Sequence, residues 1–407
     1  MKLVSKPHGT HRVLFFYWVV LLLWQNVFAQ QARSGIDVVV KSFLLILLSF
    51  FFLLRSQRIK KSSFLLLVLL IISETITFSL DNYVSSSAII SYTFPPLFIF
   101  LTLCIGGLEE ISIKEYIQLM HWLIVVVFIM IIYSFIFDSN HFTNLSNLST
   151  AYGNELSSFL ISNLEYGMYL TFAIIGCLIC LHYEASNKLR QWGYVIMIIL
   201  CFFNLLFTYS RTSIVASLCA VIIYSIAANK KTIPLVLLIT TICVLIYLLN
   251  PSVNWFINSI VFKNGTASGR DAMALIALDY YSREPIINKL FGLGFGNGSK
   301  VIIETTHHGS IHNGFLQLLL CNGIVGVIFL GLFLIYSFIY SIKARKNDLF
   351  FGGVTMLMSV LPIVFMMTCT SVLFYSSIDS TFLTVFSIIT TRYVNNYLSR
   401  QKKASEY

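Results

Sequence analysis

Charge is scarce in this sequence. Only 11% of its residues are Asp, Glu, Lys or Arg, where a soluble domain carries about 25%. That excludes an ordinary soluble globular protein of 407 residues. Short stretches of strict polar–apolar alternation are lacking too, which excludes a membrane β-barrel. No disulfide framework is present: Cys104, Cys177, Cys180, Cys201, Cys219, Cys243, Cys321 and Cys369 all lie inside apolar runs. Cys177 and Cys180 form a C-x-x-C pair, but no His or carboxylate partner is evident beside them, and they read as small packing residues. No internal repeat is visible, so an inverted-repeat transporter finds no support.

What the sequence has in abundance is apolar length. Hydrophobic residues make up 57% of it, in runs of roughly 17 to 25, the length a helix needs to cross a bilayer. The fold class is therefore all-α: a polytopic membrane protein with about twelve spans, at 13–29, 38–54, 63–80, 85–105, 116–137, 166–182, 192–209, 213–227, 233–249, 312–340, 352–370 and 381–398. The first run follows Lys2, Lys6 and Arg12 and is read as a retained span rather than a cleaved signal. The fourth carries Pro95-Pro96 in its middle and is kinked or broken there. The chain forms one transmembrane domain over 1–407.

The net charge of +10 reflects membrane topology rather than nucleic acid. With both termini in the cytoplasm, 19 of the 27 Lys and Arg residues fall on the cytoplasmic side, as the positive-inside rule requires. The two larger loops, 138–165 and 250–311, then lie outside. The second is the main outer loop and holds most of the candidate residues.

Arg211 stands at a tight connection between two spans, in Ser210-Arg211-Thr212. Its planar fork suits a phosphate at the membrane surface, and a plain anchoring arginine is the simpler alternative. Ser268 reads as an N-cap, with Asp271 three residues on, and the periodicity of 270–284 predicts an amphipathic helix at the outer interface, stopped by Pro285. Arg270 then sits at the positive end of the helix dipole, an arrangement that makes most sense if an anion shares the site. Arg283 closes the same helix as a second basic contact for substrate. Gly292, Gly294, Gly296 and Gly298 alternate, but no strand precedes them, so a turn that docks the loop fits better than a nucleotide-binding loop. His307, His308 and His312 cluster next. The H-x-x-x-H spacing lacks the Glu of H-E-x-x-H and a third ligand, so no metal is expected. His312 opens a span where it could take a proton or meet an anion, with His308 and Asn313 beside it as substrate contacts. No D-x-D motif lies on the outer face, which fits a lipid pyrophosphate donor better than a soluble nucleotide.

These pieces, in order, resemble the O-antigen polymerase/O-antigen ligase (Wzy/WaaL) family of bacterial envelope proteins. The matching residues are Ser210-Arg211-Thr212-Ser213, Ser268-Gly269-Arg270, Pro285 followed by the glycine stretch 291–296, and His312-Asn313 with Leu316, Gln317, Gly323 and Gly326. They cover about residues 205–330, while the first six spans are similar only in hydropathy. Many members carry a Glu in the helix after H-N, and here Cys321 stands near that place.

The resemblance implies a GT-C-like, metal-independent, inverting glycosyltransferase of the bacterial inner membrane, with no cofactor. Its donor would be a glycan on undecaprenyl pyrophosphate. Arg211 and Arg270 would hold the pyrophosphate, and His312 would orient or deprotonate the acceptor hydroxyl, or contact the phosphate. Membrane lipids and a chain-length regulator protein are the other expected partners. Within this reading a polymerase is favoured over the ligase that moves finished glycan onto lipid A–core. A lipid-linked glycan flippase or transporter is the alternative from another class; it would more typically place charges deep within spans.

Overall fold

The structure is a computed structural model. It describes residues 61–81, 112–143, 156–158, 160, 163–184, 188–227, 270–294, 297, 298, 300, 301, 304, 313–346 and 348–368, with isolated positions between 241 and 254 and at 390 and 394. Among these residues there is no strand. The helices are α1 (Lys61–Leu80), α2 (Ile113–Phe137), the single turn α3 (Asn140–Thr143), α4 (Asn163–Tyr183), α5 (Lys188–Thr208), α6 (Arg211–Ala227), α7 (Arg270–Arg283), α8 (Ile286–Phe291), α9 (Gly314–Arg345) and α10 (Leu349–Thr368).

The expected spans at 63–80, 116–137, 166–182, 192–209, 213–227, 312–340 and 352–370 are thus all helical, with ends shifted by a few residues. Among the described residues, α2, α4, α5, α9 and the Leu349–Met366 part of α10 are long and apolar enough to cross a membrane, and α6 is apolar but shorter. The expected spans at 13–29, 38–54, 85–105, 233–249 and 381–398 lie outside the described residues, apart from isolated positions.

The chain divides into two compact units. One comprises Met1–Ile111, Ser268–Ile342 and Met358–Tyr407, and the other Ser112–Ala267 with Lys343–Leu357. In the second unit, α4 packs against α2, α5 and α6. Its side chains from Tyr166 to Cys180 are all buried. A helix that is apolar all round belongs at the centre of a bundle, and small residues let its neighbours come close. A Cβ on Gly176 would rest in ordinary contact, 3.5 Å from Met120 Sδ. The outer helices behave in the opposite way. Trp122, Val125, Phe128, Ile129, Ile132 and Ile136 of α2 are exposed, as are Ile196, Ile199, Phe203 and Leu206 of α5. Those stripes recur at helical spacing and suit contact with lipid tails, which are as apolar as the side chains themselves.

Local signals set the ends of these helices. Ser112 and Glu115 form a reciprocal capping box at the start of α2, satisfying two of the backbone donors that a helix start leaves open. In the first unit, α9 is kinked at Gly323, whose φ of 64° lies outside the helical region. One sequence reading changes here. Cys180 does have a His and a carboxylate nearby: His121 and Glu184 stand within 4.8 Å of its sulfur, brought there by α2 and by one further turn of α4.

Candidate functional site

The turn that presents Arg211 belongs to the second unit. Thr208 ends α5, Tyr209 adopts a φ of 52°, and Arg211 is the first residue of α6. The turn is tied down from several directions. Thr208 Oγ1 donates to Leu205 O at 2.8 Å and accepts from Ser210 N at 3.2 Å. Asn163 Nδ2, at the start of α4, donates to Thr208 O at 2.8 Å, and Leu156 N donates to Phe207 O at 3.0 Å.

Behind the turn runs a seam of hydroxyls. Ser210 Oγ and Ser213 Oγ are 2.7 Å apart. Thr171 Oγ1 lies 3.1 Å from Ser213 O and accepts from Ser217 Oγ at 3.1 Å. Gly167 makes the seam possible, because a Cβ there would stand 2.7 Å from Ser213 Oγ and 2.9 Å from Ser210 Cβ. Arg211 is half-buried, with Nη2 shielded from solvent. It occupies the first turn of α6, where the helix dipole favours an anion over a cation. An arginine so placed adds its charge to that of the helix end.

The remaining predicted residues belong to the first unit. The helix expected from Arg270 to its stop at Pro285 is there as α7, and Pro285 opens α8. Met273, Ala277, Tyr280 and Tyr281 form its inward face and pack against Leu293, Val301, Leu316 and Leu320, a spacing of four, seven and eight residues along the helix. α7 is therefore seated on protein through this face, with Leu275, Ile276 and Leu278 exposed on the other side. Tyr281 OH donates to Lys289 O at 2.7 Å. Burial pushes the phenols of Tyr280 and Tyr281 up, and a hydrogen bond with Glu284 adds to the effect at Tyr280.

The glycine stretch forms the dock between this loop and the membrane helices. Gly292 and Gly294 adopt φ of 83° and 79°, values that glycine reaches without strain. Leu293 N donates to Leu320 O at 2.8 Å, next to the kink in α9. A Cβ on Gly292 would collide with the Cys321 carbonyl, and one on Gly323 with the Leu290 carbonyl. On the other side the stretch meets the end of α1. Thr77 Oγ1 donates to Phe291 O at 2.7 Å, Asn297 N to Asp81 Oδ1 at 3.1 Å and Asn297 Nδ2 to Leu80 O at 3.2 Å. Asp81, just past the end of α1, is buried and receives this backbone donor. The described amides of Gly292, Leu293 and Asn297 all bond within the protein, so they are not a phosphate cradle.

Asn313 caps α9, its Oδ1 accepting from Phe315 N at 3.1 Å and Leu316 N at 3.2 Å. Arg283 pairs with Asp279 at 2.7 Å one turn earlier on α7, with both side chains exposed. Arg270 begins α7, while its side chain, His307, His308 and His312 lie outside the described residues. Through α7 and the start of α9, the first unit thus brings together the segments that carry Arg270 and Asn313. Arg211 is held by the second unit. Cys321 is fully buried under the glycine stretch, where a Cβ on Gly298 would come 2.8 Å from its sulfur.

Compared with family models, residues 195–331 match Wzy_C, described as O-Antigen ligase. Over this stretch the chain is similar to that family. The resemblance to the Wzy/WaaL family read from the motifs is thereby shown over these residues. No curated protein matches the chain. The matched stretch begins within α5, includes α6, α7 and α8, and ends within α9. Arg211, Arg270, Arg283, His308, His312 and Asn313 all fall inside it.

Proposed function

We propose that the protein is an O-antigen (surface polysaccharide) polymerase. It joins oligosaccharide repeat units carried on undecaprenyl pyrophosphate, at the periplasmic face of the bacterial inner membrane. The observation that supports glycan transfer, by polymerase and ligase alike, is the Wzy_C match, which takes in every residue the motifs single out.

In the proposed reaction the acceptor hydroxyl attacks the anomeric carbon of the donor sugar. A C–O bond forms on one face as the bond to pyrophosphate breaks on the other, so the configuration inverts. The hydroxyl proton passes to His312, and the lipid pyrophosphate leaves with its charge held by Arg211 and Arg270. Two arginine forks suit that task because they stabilise charge that develops only as the bond breaks. Asn313, His308 and Arg283 contact the glycan or the phosphates. The transfer draws on these side chains and uses neither a metal nor a nucleotide.

The family's description, O-Antigen ligase, favours a second reading, transfer of finished glycan onto lipid A–core. Deletion of the gene separates the two. Lipopolysaccharide bearing a single repeat unit supports the polymerase. Bare core with long lipid-linked chains accumulating supports the ligase. Repeat units trapped facing the cytoplasm would point to a flippase and sink both. Arg211→Ala, Arg270→Ala and His312→Ala are each expected to stop chain growth with membrane abundance unchanged, and normal ladders from all three would overturn the site assignment.

A further inference from the structure

A second cluster of reactive side chains stands apart from this chemistry. His121 of α2, Cys180 of α4, Glu184 just beyond α4 and Tyr194 of α5 converge in the second unit. His121 Nε2 lies 3.0 Å from Glu184 Oε2 and 2.7 Å from Tyr194 OH. Tyr194 OH donates to the same carboxylate oxygen. Arg190 Nη1 is 3.5 Å from the other oxygen, Glu184 Oε1. Glu184 N donates to Cys180 O at 2.8 Å, so the two residues are one turn apart on the same face. One ligand atom from each of His121, Cys180 and Glu184 lies within 4.8 Å of the other two.

We infer that His121 Nε2, Cys180 Sγ and Glu184 Oε2 form a site for a zinc-class divalent cation. Imidazole, thiolate and carboxylate are the three zinc donors, and three protein ligands leave a fourth tetrahedral position for water. A tetrahedral ion with such ligands needs its donor atoms roughly 3.3–3.8 Å apart, so small rotamer changes close the set. The charges balance as well. A dication with one carboxylate and one thiolate is neutral, which suits a site at the edge of a low-dielectric bundle. On binding, the Cys180 thiol proton leaves to solvent. Tyr194 stays as an outer donor to the carboxylate, a typical orienting contact. The Arg190 side chain is 60% exposed, and its 3.5 Å pairing with Glu184 loosens as the ion binds. Cys180 is fully buried, whereas His121 and Glu184 are partly exposed, so the ion reaches the sulfur from the open side.

The location separates this site from glycan transfer. α5 begins beside the cluster and ends at the Arg211 turn, and its 21 residues span about 30 Å. A cation here fastens α2 to α4, with α5 joined to the site through the Tyr194 hydrogen bond, and takes no part in the reaction proposed above.

The test uses the full chain in detergent, stripped with chelator and titrated with Co²⁺. A single bound equivalent with a thiolate-to-cobalt charge-transfer band is expected. Cys180→Ser should abolish the band, Cys177→Ser should keep it, and His121→Ala should weaken binding at least about ten-fold. Absence of the band from the unmodified protein would leave only a hydrogen-bonded clamp and overturn the site. So would a band that survives Cys180→Ser, or affinity unchanged in His121→Ala. Neither result bears on the glycan assay, so the two proposals fail separately.

Discussion

Gly323 and Gly292 meet backbone to backbone: a Cβ built on Gly323 would stand 2.5 Å from the amide nitrogen of Gly292. Both have positive φ, at 64° and 83°. The loop after α8 and the kink in α9 thus occupy space that any side chain would fill.

Gly323→Ala and Gly292→Ala should each cost more than an ordinary surface change. The backbone strain alone is about 1–3 kcal/mol, and the collision with main-chain atoms adds to it. Thermal unfolding of detergent-purified protein would show a lowered midpoint for both variants. Gly331→Ala, with open space around its Cβ, is the control and should be neutral or slightly stabilising.

The second unit offers a parallel contrast. Gly167→Ala drives a methyl into Ser213 and Ser210, whereas at Gly193 nothing lies within 4 Å. Gly193→Ala should be neutral or stabilising by up to about 1 kcal/mol, the gain in helix propensity. Gly167→Ala should disturb the Arg211 turn, lowering stability and shortening glycan ladders together. Equal behaviour of the two variants would show that the close approach does not matter.

Asn313 separates structure from chemistry. Its Oδ1 caps α9, and loss of such a cap costs about 0.5–2 kcal/mol. Asn313→Ala should therefore lose stability, and Asn313→Asp should recover it. If the amide Nδ2 contacts substrate as proposed, Asn313→Asp will still fail to extend glycan. Full activity in Asn313→Asp would reduce the residue to a cap.

Alkaline pH should loosen the docking of α7. Tyr280 and Tyr281 have raised pKa values when folded, against an ordinary value of about 10. The folded state holds these protons more tightly, so their contribution is intact below the ordinary value and is lost as pH rises through the raised one. The midpoint of unfolding should fall above about pH 10. The double variant Tyr280→Phe/Tyr281→Phe should start lower, because Tyr281 OH loses its bond to Lys289 O, and then fall less steeply.

Much of this was legible in the sequence because membrane helices announce themselves by length and apolarity. The helix from Arg270 and its stop before Pro285 followed from periodicity and proline chemistry, while the cap expected at Ser268 lies outside the described residues. What escaped were pairings between residues far apart in the chain. Nothing near Asp81 in sequence foretells that it receives the amide of Asn297. Likewise, His121 is 63 positions from Glu184. The docking role of the alternating glycines was readable, but their partner, the kink at Gly323, was not. The burial of Cys321 beneath the glycine stretch was not readable either.

The burial of α4 on every side has a consequence for how the protein is made. As a span it enters the bilayer before α5 and α6 have been synthesised, and until they arrive Tyr166 OH has only Ser134 of α2 and Thr171 Oγ1 only the Gly167 carbonyl of its own helix. Their later partners, Asn204 on α5 and Ser213 and Ser217 on α6, come from chain still unmade. A nascent chain halted after Tyr183 should therefore hold α4 loosely, open to quality-control proteases, and should become resistant only once Ser217 has left the ribosome.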